Sequence, residues 1–134
     1  YWTAARLGES DRMSRGKYLT IHRLVCKAIA PDLSESAARR CARADWSHDA
    51  GRSSSLTFSQ YQDALFDLAD QWTDSIDFGD YLHFLQVLYM RVTKAVQDST
   101  AEAGFRRVFR RYHEVMSVTE ELLRSLHSRR TAGE

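Results

Sequence analysis

The sequence predicts an all-α fold of about five to six helices, and three observations carry that expectation. One proline and six glycines in 134 residues are too few for a loop-rich β domain or a disordered chain. Apolar residues recur at helical spacing along most of the chain. Ser14, Ser34, Thr57 and Asp77 stand where helices need N-caps. With 43% apolar residues the chain can bury the core of one domain. The expected organisation is an N-terminal extension over 1–13, a single helical domain over 14–127 and a flexible tail over 128–134.

Taken in order, Ser14 caps a first helix whose stripe is Tyr18, Ile21, Val25 and Ala28, and Pro31 ends it. Ser34 caps a second helix through about Trp46, and the stretch SHDAGRSSS then reads as a loop. A related phrase occurs twice, as LTFSQY over 56–61 and as IDFGDY over 76–81. In the first copy Thr57 and Gln60 form a capping box, with Leu56 and Tyr61 spaced as a hydrophobic staple. In the second, Asp77 caps and Ile76 and Tyr81 are the staple pair. The stripes behind the caps match: Phe58, Tyr61, Leu65, Leu68 and Trp72, then Phe78, Tyr81, Leu85, Leu88 and Val92. The helix from Asp77 is apolar nearly all round and is therefore expected to be the central buried one. A last helical region is expected from Phe105, with a break near Met116, and no stretch competes as a strand.

Charge is patterned. No Lys or Arg occurs from Ser53 to Met90, where Asp63, Asp67, Asp70, Asp74, Asp77 and Asp80 give −6. Sixteen of the nineteen basic residues are Arg, which favours planar, paired contacts. In FRRVFRRYHEVM, Phe105, Val108, Phe109 and Tyr112 make one helical face, opposite Arg106, Arg107, Arg110 and Arg111. These four arginines are the candidate partner-binding residues, facing an acidic protein surface such as a cytoskeletal polymer. Internal pairing with the Asp stripe of 63, 67 and 70 is the competing reading.

Most catalytic classes lose their support here. No phosphate loop is present, and no catalytic triad is legible. The five histidines show no zinc spacing, except that His48 lies near Asp45 and Asp49. Cys26 and Cys41 lack metal-ligand spacing and read as free thiols of a reduced, intracellular protein. No apolar run approaches the ~18 residues of a membrane span. The chain opens on Tyr without a secretory signal and reads as a piece of a longer protein.

The repeated phrase resembles the end of an EF-hand loop entering its exit helix. Leu56, Phe58, Gln60 and Tyr61 match that pattern in the first copy, and Ile76, Phe78, Asp80 and Tyr81 in the second. The likeness covers roughly residues 34–126 and implies a degenerate EF-hand-like helix–loop–helix array. Calcium needs six or more oxygens and an acid at the last loop position. The first loop places Asp49, Gly51, Ser53, Ser54 and Gln60 at positions 1, 3, 5, 6 and 12, and the second begins with Ala69. No cofactor is therefore expected. A helix from Thr57 to Trp72 is about 22 Å long, so Leu56 and Ile76 cannot pair in the usual inter-loop ribbon. The resemblance implies a non-catalytic adaptor module of a cytoplasmic assembly, cytoskeletal or ciliary by analogy. A calcium-responsive regulator is the alternative, and an Arg-rich nucleic-acid binder the more distant one.

Overall fold

The computed structural model describes residues 1–5, 7–8, 11–73, 77–115 and 117–118. Four α-helices form among these residues: α1 (Arg15–Ile29), α2 (Glu35–Ala50), α3 (Phe58–Trp72) and α4 (Phe78–Val92). Two antiparallel ribbons accompany them. β1 (Met13–Ser14) pairs with β2 (Ser55–Leu56), and β3 (Thr93–Gln97) pairs with β4 (Phe105–Phe109). A 3₁₀ turn covers Tyr112–Glu114. The expectation of an all-α array of five to six helices is thus corrected to four helices with two small sheets. The expected break near Met116 and the helix beyond it lie outside the described residues.

The caps form where the residue types place them. Ser14 Oγ accepts from the Lys17 amide, and Ser34 Oγ from the Ala37 amide. Thr57 and Gln60 make both bonds of the capping box, at 2.9 and 3.2 Å. Asp77 Oδ1 accepts from the Gly79 amide at 2.7 Å. Helix α2 runs to Ala50, taking four residues from the expected loop, and ends at Gly51 with φ 58°.

The strands appear where β4 was read as a helix. Phe105, Val108 and Phe109 fit a helical face, but so short a run cannot distinguish that period from strand alternation. Valine and the aromatics suit a pleated, half-buried surface. Gly104, at φ 77°, lets the chain reverse, and the Asp98 amide donates to the Gly104 carbonyl at 2.9 Å. The register runs from Thr93 opposite Phe109 to Gln97 opposite Phe105.

The central helix is α1, not α4. It buries Tyr18, Ile21, His22, Leu24, Val25, Cys26 and Ala28 against α2, α4 and the segment after β4. The small residues Ala38 and Ala42 of α2 are fully buried, which lets α2 approach closely. Tyr18 and His22 stack with ring centroids 3.8 Å apart, and Trp46 and Tyr61 meet Tyr18 edge-on. Tyr18 Oη donates to Asp49 Oδ2 at 2.5 Å, and His22 Nε2 lies 3.2 Å from Tyr61 Oη. Helix α4 buries only Phe84, Leu88 and Val92. The segment before α1 contributes to the core: Trp2, Ala5 and Met13 are buried, and Tyr1 Oη donates to the Leu85 carbonyl at 3.0 Å. No helix is long and apolar enough to cross a membrane among the described residues.

Two predictions follow from this packing. Leu88→Ala removes a fully buried side chain and should cost about 2–5 kcal/mol in urea unfolding. Leu82→Ala, on the exposed side of the same helix, should change stability by under ~0.5 kcal/mol. The second concerns pH. Burial depresses the His22 pKa from 6.5 to about 3. Below pH 6.5 the unfolded chain takes up a proton that the native ring refuses, so this group lowers stability as pH falls toward 3. The slope reaches up to about 1.4 kcal/mol per pH unit. Asp45 and Asp49, raised by desolvation, act in the opposite sense above the ordinary carboxylate range. Denaturant unfolding of wild type and His22→Gln between pH 7 and 4 isolates the His22 contribution: the wild type should lose more stability over that interval.

Candidate functional site

The exposed side of α4 holds an unexpected arrangement. Residues four apart on a helix lie nearly above one another, which puts Phe78, Leu82, Gln86 and Met90 in one row. All four face solvent, with Phe78 61%, Leu82 46% and Met90 47% exposed. Trp72, at the end of α3, is also exposed, and Phe66 packs its ring 5.6 Å from that of Phe78. The apolar surround that marks α4 as a core helix by sequence is in fact two faces, one buried and one open to water.

The C-terminal end of this row enters the arginine region. Strand β4 and the residues after it bring three of the four candidate arginines into internal contacts. Arg106 Nε pairs with Asp98 Oδ2 at 3.2 Å. Arg107 donates to Thr93 Oγ1 at 2.8 Å and to the Thr93 carbonyl at 2.9 Å, with its guanidinium 5.7 Å from the Tyr89 ring centroid. Arg110 donates to the Thr93 carbonyl at 2.9 Å and reaches the Met90 carbonyl at 3.5 Å. Two guanidinium groups therefore satisfy carbonyls at the end of α4, where a helix has no amide partners of its own and its dipole favours cations. Arg111 is exposed, and its backbone amide donates to Glu114 Oε1. Lys94 holds the Glu114 carboxyl low, at about 2, with the Arg111 amide assisting.

The arginines lie on and just after a strand rather than on an amphipathic helix. The carboxylate that pairs with Arg106 is Asp98, not one of the Asp row of α3. Asp70 instead accepts from Tyr81 Oη. Asp74 lies outside the described residues. The observed role as a helix cap had no signal in the sequence, because it depends on β4 folding back onto the end of α4.

A shallow cleft of about 500 Å³ opens beside Arg110, lined by His83, Gln86, Val87, Met90, Arg91 and Arg110. His83 Nε2 itself is shielded from solvent and has no hydrogen-bond partner among the described residues. The cleft joins the apolar Val87 and Met90 to two guanidinium-bearing residues, Arg91 and Arg110. Its chemistry suits an acidic side chain carried on an apolar segment.

Two clusters of possible metal ligands lie along α2. Cys26, Cys41 and Asp45 bring one donor atom each within 4.8 Å of one another, as do His48, Asp49 and Asp67. The first pairs residues from α1 and α2 that show no ligand spacing in the sequence. In the second, Asp67 of α3 joins His48 in place of the expected Asp45. Asp49, the first position of the EF-hand-like loop, sits in the last turn of α2 and accepts from Tyr18.

Comparison with protein-family models, curated proteins and solved structures gives no match.

The capping geometry distinguishes two neighbouring arginines. Arg107→Ala strips donors from the end of α4 and should lower unfolding free energy by about 1–3 kcal/mol. Arg111→Ala should stay within ~0.5 kcal/mol of wild type. Equal losses in chemical denaturation would show that Arg107 does not cap the helix.

Proposed function

We propose that this chain is a non-catalytic adaptor module that docks one face of α4 onto a protein partner within a larger cytoplasmic assembly. The row of Phe78, Leu82 and Met90 ending at a basic cleft carries this reading. Large apolar side chains aligned on one helix face mark association surfaces. The cleft at the end of the row adds Arg91 and Arg110. A partner helix with an apolar stripe and acidic residues at one end meets both requirements. Arg111 and the half-exposed Arg106 extend the positive rim and steer the encounter.

The resemblance to EF-hand domains has one supporting observation. Met13 pairs with Leu56 and Ser14 with Ser55, directly before the capped starts of α1 and α3. Two helices, α1 and α2, lie between these paired segments, which is the spacing of successive EF-hand loops. The pairing partner of Leu56 is thus Met13, a residue outside both copies of the repeated phrase. Within this reading the ribbon is a structural remnant that aligns two helices, and no calcium is required. A cytoskeletal or ciliary setting rests on the family analogy alone.

The test uses the protein with Leu82→Glu and Arg111→Glu, each at a surface position. Both variants should melt within a few degrees of wild type. Leu82→Glu should lose the partners that wild type retains, and Arg111→Glu should bind them more weakly. Retention by wild type should decline as salt rises, because exposed charges are screened over about 10 Å at 0.1 M. Folded variants that keep every partner would place the interface elsewhere.

A further inference from the structure

We propose that Cys26, Cys41 and Asp45 form a binding site for a zinc-type divalent cation between α1 and α2. Cys41 and Asp45 are four residues apart on α2 and share one face, while Cys26 stands opposite on α1. Their two sulfurs and one carboxylate oxygen already lie within 4.8 Å of one another. The Cys26 thiol points at Asp45 Oδ2 over 3.8 Å. In a tetrahedral zinc site with sulfurs ~2.3 Å from the metal, the sulfurs stand about 3.8 Å apart. The donors therefore need to close by about 1 Å or less, a movement side-chain torsions supply.

Accessibility also fits. Cys26 is buried, Asp45 is half-buried and Cys41 is exposed. A cation enters from the Cys41 side, and three protein ligands leave its fourth position to water. Binding converts both thiols to thiolates and releases two protons to solvent, so the two thiolates and the carboxylate outweigh the charge of one dication. Paired sulfurs select borderline-soft ions over calcium and magnesium, which take oxygen ligands. The neighbouring group of His48, Asp49 and Asp67 is the poorer candidate, because Asp49 already accepts from Tyr18.

Cobalt(II), titrated into the reduced protein without oxygen, tests the site. Wild type should develop sulfur-to-cobalt charge-transfer absorption that saturates at one cobalt per chain and disappears on adding equimolar zinc. Zinc should also raise the melting temperature, since an ion that binds only the folded chain stabilises it. Cys41→Ser, at an exposed position, should stay folded by circular dichroism and lose most of the charge-transfer band. Asp45→Asn should keep the band with affinity lower by about tenfold or more. The proposal is overturned by folded, reduced wild type that shows no band, or by saturation at one cobalt per two chains. A band that persists unchanged in Cys41→Ser also overturns it.

Discussion

The stack of Tyr18 on His22 is the contact around which the rest of the molecule is arranged. It sits on α1, where α2 contributes Trp46 and Asp49 and α3 contributes Tyr61. Tyr18 Oη finds Asp49 and His22 Nε2 finds Tyr61 Oη, so rings that carry hydroxyls and nitrogens can occupy the interior. A helix surrounded on several sides needs such a centre, because plain aliphatic packing would not fix its rotation. The hydrogen bonds orient α2 and α3 about α1, and the ribbon between Met13 and Leu56 aligns the starts of α1 and α3.

The second organising feature lies at the other end of the molecule. Helix α4 passes directly into β3, and β4 returns to place guanidinium groups on the carbonyls that α4 leaves open. Arginines that look available for binding in the sequence are partly consumed by this closure. The surface that remains is mixed: an apolar row along α4, a basic cleft at its end and Arg111 beyond. The proposed protein docking rests on that composition, and nucleic-acid affinity would depend on many free basic contacts.

What could be read from the sequence was what depends on residues close together in the chain. Ser14, Ser34, Thr57 with Gln60, and Asp77 all cap as their types and spacing predict, because a cap bonds amides two or three residues away. The choice of central helix was not legible. Periodicity reports that α4 has apolar residues on every side, but only tertiary packing decides which side meets α1. The strand at Phe105–Phe109 reads as a helix in the sequence because Phe105, Val108 and Phe109 have helical spacing, and five residues are too few to exclude a strand. The meeting of Cys26 and Cys41 had no local signal at all, since it requires α2 to fold back against α1 with two buried alanines between.

The two ribbons differ in how far along the chain they reach, and this bears on the order of assembly. β3 and β4 are separated only by a short turn, and their anchoring arginines grip the helix immediately before them. Closing so small a loop sacrifices little chain entropy. Pairing Met13 with Leu56 instead encloses all of α1 and α2, and pays off only once those helices have formed and docked. The segment from α4 through β4 is therefore suited to form early as a local unit, while the first ribbon closes late, as contact-order reasoning holds for distant pairings. The exposed apolar row of α4 would then be in place before Met13 and Leu56 close the first ribbon.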